Sequence, residues 1–149
     1  MPSPVQPPKR LRALVSWQAG KVATVGTRLT AQHMPLSART DFAILAALEE
    51  YGPLSQADLG RRLGLDRNDV STALARLDHD HAVVRGPDAA DPRRNRVTAT
   101  SSGLRYLGEL QHHADVVQRD LLAGLDATER TELTALLDRV LAHHPAQPA

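Results

Sequence analysis

The sequence predicts a mainly α chain of α+β class, a helix-turn-helix followed by a β-hairpin wing, with long helices at both ends. Three observations predict it. Two short amphipathic segments, opening at Ser55 and Asp66, are separated by little more than Gly64-Leu65, which reads as helix-turn-helix. Two extended runs follow at once, around a turn-rich GPDAADPRRN. Apolar stripes near the two termini then have no sheet available to cover them.

Taken in order, the proline-rich MPSPVQPP predicts a disordered lead over residues 1–8, and HPAQPA closes the chain in the same style, giving a tail at 145–149. A first long helix is expected over 9–33, since Leu11, Leu14, Val15, Val22, Val25 and Leu29 recur by threes and fours. Ser37 is the expected N-cap of the next helix, Phe42, Leu45 and Leu48 its buried face, and Gly52-Pro53 its stop. A third helix opens at Ser55, with Asp58 favoured by the helix dipole, and closes at Gly64. Asp66 caps a fourth, whose inner face is Val70, Leu74 and Leu77.

The hairpin strands are expected over 82–85 and 96–98, because glycine, prolines and aspartates between them are turn chemistry. Thr100 then opens a helix over 101–124. Asp126 and Glu129 have capping-box spacing before a last helix striped by Leu133, Leu136, Leu137, Val140 and Leu141. The resulting organisation is a dimerization helix over 9–35, a winged helix-turn-helix over 36–103 and dimerization helices over 104–144.

The 149 residues, 42% hydrophobic and 23% charged, are globular rather than disordered in composition. No apolar run approaches membrane-spanning length, and Lys9, Arg10 and Arg12 with Gln18 interrupt any signal-peptide core, so no membrane partner and a cytoplasmic location are expected. Zero cysteines excludes disulfides, thiol nucleophiles and cysteine-rich zinc sites. Net charge is only +1, yet residues 1–40 contain no Asp or Glu, whereas Glu109 to Asp138 carries seven acids. The two ends are electrically complementary.

That small net charge makes the cationic hairpin conspicuous. Arg93, Arg94 and Arg96 crowd its tip and returning edge, with Arg85 on the outgoing strand. Arginine there can enter a minor groove or hold phosphates, and Asp91 can aim the Arg93 guanidinium before DNA arrives. The fourth helix fits the same reading: Arg67, Asn68, Ser71, Thr72 and Ala75 are left outward when its apolar positions turn inward. Arg67 has the donor fork for guanine, Asn68 can pair with adenine, and Ser71 and Thr72 can meet bases or phosphate. Arg76 is expected to touch phosphate or pair with a neighbouring acid. A solvated turn and an ordinary exposed helix face are the competing readings.

The stretch LSQADLGRRLGLDRNDVSTALARLDHDHAVVRGPDAADPRRNRVTATSSG resembles the winged helix of the MarR family of bacterial transcriptional regulators. The wing carries most of the likeness: Arg85 after the first strand, Asp91 and Arg93 as an Asp-x-Arg tip, and Thr100 and Gly103 as a Thr-x-x-Gly opening of the following helix. Two positions depart from the pattern. His81 stands where the family has glycine, so a positive φ with local strain is expected there, and Thr72 replaces a frequent arginine.

The resemblance implies a homodimer that binds the pseudo-palindromic operator of double-stranded DNA, most simply as a ligand-responsive repressor; an activator would use the same residues. It also implies a small aromatic or phenolic effector held between dimer helices and winged helix, on elements carrying Trp17, His33, Phe42 and Tyr106; core packing is the competing reading. Some such regulators sense zinc, but Asp78, His79, Asp80 and His81 are consecutive and splay around a helix, as do His112-His113 and His143-His144. No cofactor is expected. Nor is an enzyme, because residues 101–103 form no nucleophile elbow and no phosphate loop occurs. A winged helix serving protein–protein contact remains the alternative of a different class.

Overall fold

The computed structural model describes residues 5–145. The proposed lead and tail therefore lie partly outside the described residues. Helices α1 (Lys9–Arg12), α2 (Val15–His33), α3 (Ser37–Tyr51), α4 (Gln56–Leu63) and α5 (Arg67–His79) precede strands β1 (Val83–Pro87) and β2 (Asn95–Ala99). Helices α6 (Ser101–Leu121) and α7 (Ala127–His143) complete the chain. None of these helices is long and apolar enough to cross a membrane.

The expected first helix is broken in two. Leu14 is extended (φ −88°, ψ 114°), and Gln18 Nε2 donates to the Arg12 carbonyl at 2.6 Å. Lys9, Arg10 and Arg12 crowd the N-terminal end with no acid in the first turn, so they oppose the helix dipole and weaken a continuous helix. Ser37 is the first helical residue of α3 rather than its cap. Pro35 and Leu36 carbonyls accept from Ala38 and Arg39 N–H at 2.9 and 3.1 Å, closing the turn without a side-chain cap.

The other predicted caps form. Ser55 Oγ accepts from Asp58 N, Asp66 from Asp69 N and Thr100 Oγ1 from Gly103 N, while Asp126 and Glu129 make the reciprocal capping box. The core lies where α3, α4 and α5 meet the wing base, with Ile44, Leu45, Leu59, Val70 and Leu74 fully buried. The strands pair antiparallel in the register Gly86↔Arg96, and Leu54 bridges to Val97 through two backbone bonds of 3.1 and 2.8 Å. Both strands run further toward the tip than expected, leaving residues 88–94 as the loop.

Helices α2 and α6 pack on each other. Helix α7 buries none of its residues: Leu136 and Val140 are each 55% exposed and Leu141 66%. Leu14, Val15 and Val22 at the other end of the chain are exposed as well.

Candidate nucleic-acid interface

Asp66 begins the candidate reading helix by accepting from Asp69 N at 2.8 Å. Val70, Ala73, Leu74 and Leu77 bury its inner face at 0–1% exposure, which fixes the rotation of α5. Arg67, Asn68, Ser71, Thr72 and Ala75 are all exposed in consequence. Among the described residues, none of the four polar side chains in that set makes an internal hydrogen bond.

Arg76 is different. It forms an ion pair with Asp41 of α3, a carboxylate 3% exposed, and its Nη2 reaches the Ser37 carbonyl at 3.5 Å. Tyr106 on α6 donates its hydroxyl to the same Asp41 at 3.1 Å. Burial first, and then the nearby Asp41 charge, push the Tyr106 phenol up to about 12. The hydrogen bond to Asp41 raises Arg76 above its ordinary value. A buried carboxylate requires a cation and donors, so Arg76 is directed into the protein, the second of the two roles its sequence position offered. Asp41 itself is absent from the sequence-derived set. Its signal was available: it falls in the inward stripe Ala38, Asp41, Leu45, Leu48, where an acid demands a partner.

The wing arginines divide in the same way. Arg93 has a side chain 93% exposed, and Asp91 Oδ1 accepts from its backbone N–H at 3.1 Å and its Nε at 3.5 Å. Arg94 is exposed, with its N–H bonded to the Asp91 carbonyl at 2.9 Å. Arg96 instead turns back along the hairpin, its Nε 2.9 Å from Asp88 Oδ2 and its Nη1 3.4 Å from the Pro53 carbonyl. Arg85 leans toward Asp78 at the end of α5, at 3.9 Å.

The junction between α5 and the wing is tight. His81 has φ 59°, the left-handed conformation anticipated at this position, and its carbonyl accepts from Thr100 Oγ1 at 2.6 Å. A Cβ on Gly103 would lie 2.0 Å from the Ala82 carbonyl oxygen, so only glycine lets α6 start this close to the turn.

A cavity of about 330 Å³ opens between α2, α3 and α6, lined by residues that include Val22, Thr30, Arg39, Phe42, Val117 and Gln118. Of the four aromatic candidates, Phe42 contributes to this wall. Tyr106 is occupied with Asp41, His33 is exposed with Nε2 3.9 Å from Asp120, and Trp17 sits beneath Lys21. Arg39, which sequence reasoning missed, is the cation of the lining; its Nη1 donates to Thr27 Oγ1 at 3.3 Å. Among the described residues no three His, Asp or Glu side chains converge as a metal site.

Comparison with known proteins fits this architecture. The sequence profile of the MarR family matches residues 36–94. The HTH-type transcriptional repressor NicR of Pseudomonas putida is 30% identical over 100 residues, a match spanning 67% of this chain and 63% of NicR. The uncharacterized HTH-type transcriptional regulator YkoM of Bacillus subtilis is 30% identical over 105 residues, covering 70% of this chain and 68% of YkoM. The PcaV transcriptional regulator of Streptomyces coelicolor, solved in complex with its natural ligand, superposes with a TM-score of 0.75 at 25% identity, over 91% of this chain and 96% of PcaV. With its helix-turn-helix, its arginine-tipped wing and these relatives, the chain belongs to the MarR family of winged helix-turn-helix transcriptional regulators.

Proposed function

We propose that this regulator binds a pseudo-palindromic operator as a homodimer and acts as a ligand-responsive repressor. One observation carries the DNA-binding reading. A helix rigidly seated by four buried residues leaves Arg67, Asn68, Ser71 and Thr72 without internal partners, next to a hairpin that directs Arg93 and Arg94 outward. The helix would read base edges in the major groove, and the tip would hold the flanking minor groove or its phosphates. Arg76, Arg85, Asp91 and Arg96 would position these elements.

The exposed leucines and valines of α2 and α7 support the dimer, since a two-fold copy would bury them and set two reading helices one helical turn apart. The same pairing would bring the acid-free first helices toward the acidic C-terminal helices.

The test is selection of sites from a random duplex pool, followed by fluorescence anisotropy across a salt series. Arg93→Ala should weaken the selected site by roughly 1–3 kcal/mol. Absence of binding to any duplex at low salt would sink the reading and leave the protein–protein alternative.

The cavity supports effector control. Its apolar walls with Arg39, Thr27 and Gln118 suit a small aromatic carrying an acid or phenol, and PcaV, of the same fold, was solved with its natural ligand. A ligand shifts the regulator only by preferring one spacing of the reading helices. Thermal-shift screening of phenolic acids, with Arg39→Ala as control, tests this; zinc belongs in the same screen.

A further inference from the structure

An acid, Asp88, is buried at the base of the wing tip. Asp88 is 9% exposed, in a loop otherwise open to solvent. Its Oδ1 accepts from Ala90 N at 2.9 Å, its Oδ2 lies 2.9 Å from Arg96 Nε, and its own N–H donates to the Arg94 carbonyl at 2.7 Å. The Ala90 N–H, and after it the Arg96 guanidinium, hold this carboxyl below the usual carboxylate range.

In the strand register Gly86 faces Arg96, so Asp88 is the diagonal neighbour of Arg96 on the same face of the hairpin, within reach of a long side chain. The far end of Arg96 then reaches the Pro53 carbonyl, on the loop between α3 and α4. One guanidinium thus ties the tip loop both to its own hairpin and to the helix-turn-helix. Beyond the clasp, the Asp91 carbonyl takes the Arg94 N–H and the Asp91 carboxylate takes the Arg93 N–H. Arg93 and Arg94 therefore sit on a loop whose geometry is fixed at Asp88.

We propose that Asp88 and Arg96 form a positioning clasp that aims Arg93 and Arg94 at DNA, with Arg96 acting through Asp88 rather than on a phosphate. The inference rests on the DNA-binding reading above. It matters because plain electrostatics predicts the opposite sign: deleting an acid beside an anionic duplex should tighten binding.

The experiment compares wild type, Asp88→Ala, Arg96→Lys and Arg96→Ala on the selected operator and on random duplex, each with a salt series and a circular-dichroism check of folding. Asp88→Ala should bind the operator about tenfold more weakly, despite its extra positive charge, while random-duplex affinity holds or rises. Arg96→Lys keeps the charge but loses the planar fork, and should weaken operator binding similarly. Arg96→Ala should lower the salt slope no further than Asp88→Ala does, whereas losing a phosphate contact of its own lowers it by about 1 more. Wild-type failure to bind any duplex would overturn the DNA-binding reading and the clasp with it. Wild-type binding, with Asp88→Ala equal or tighter and a slope for Arg96→Ala about 1 below that of Asp88→Ala, would overturn the clasp alone. Should Asp88→Ala not fold, Arg96→Lys decides: operator affinity equal to wild type overturns the clasp.

Discussion

Asp41 is the residue on which three helices depend, and its removal has a calculable cost. Asp41→Ala leaves the Arg76 guanidinium without its carboxylate and the Tyr106 hydroxyl without its acceptor. Removing one member of a fully buried ion pair costs about 3–5 kcal/mol, and a stranded hydroxyl about 1–3 kcal/mol. The Arg76 side chain is 35% exposed, so water recovers part of its solvation and the penalty is discounted. The expected loss is then about 2–4 kcal/mol, or roughly 5–15 °C in Tm for a chain of this length. Arg76→Ala should cost more, because it strands a carboxylate only 3% exposed. The assay is urea unfolding at fixed protomer concentration, since a dimer's stability depends on concentration. A double-mutant cycle of Asp41→Ala with Arg76→Ala should show coupling above about 1 kcal/mol. Strict additivity, or a loss under about 0.5 kcal/mol for Asp41→Ala, the size of a surface substitution, would refute the reasoning.

The phenol of Tyr106, raised from 10.0 to about 12, gives a pH signature. The folded state keeps its proton where the unfolded state loses it, so stability is intact below the unfolded value and falls as pH rises through the folded one. Discounted for the partly exposed phenol, the loss is about 1–2 kcal/mol, and unfolding of Tyr106→Phe should lack this alkaline slope. Gly103→Ala forces a methyl to 2.0 Å from the Ala82 oxygen and should destabilise by about 3 kcal/mol or more, read by thermal melting; a wild-type Tm would show that α6 can start further away. Leu141→Asp places a charge on a side chain 66% exposed in one copy, so a monomer that otherwise keeps its helical circular dichroism is expected in sedimentation, and an unperturbed dimer would remove α7 from the interface.

Much of the fold was legible because its signals are local. Ser55, Asp66, Thr100 and Asp126 each announce a helix start through a side chain that reaches its own N3 amide, and all four do so. His81 was legible as a left-handed residue only through the resemblance, which puts glycine at this position after α5, and φ 59° follows. The break at Leu14 was hidden because apolar spacing runs straight through it, and only the unfavourable cations at the helix start mark it. Ser37 misled for the reverse reason. A hydroxyl is in the right place, but the Pro35 turn already supplies the carbonyls.

The candidate site was legible as a face and not as a set of residues. In one dimension Arg76, Arg93, Arg94 and Arg96 are all cations; what separates them is the acid that Arg76, Arg93 and Arg96 each meet in three, while the Arg94 side chain is exposed. Asp41 lies 35 positions from Arg76, a distance no local pattern reports, although an acid in an apolar stripe signals that some partner must exist. Asp88 and Arg96 meet across a hairpin, so the strand register had to be known first. Asp91 and Arg93 are two residues apart, and that short reach is why their pairing could be anticipated. An acid near a basic cluster therefore carries as much information as the cluster. Asp41 and Asp88 each draw one cation inward, Arg76 and Arg96, while Asp91 holds Arg93 at the surface with its side chain 93% exposed, so the acids sort which guanidinium groups of a chain of net charge +1 face outward.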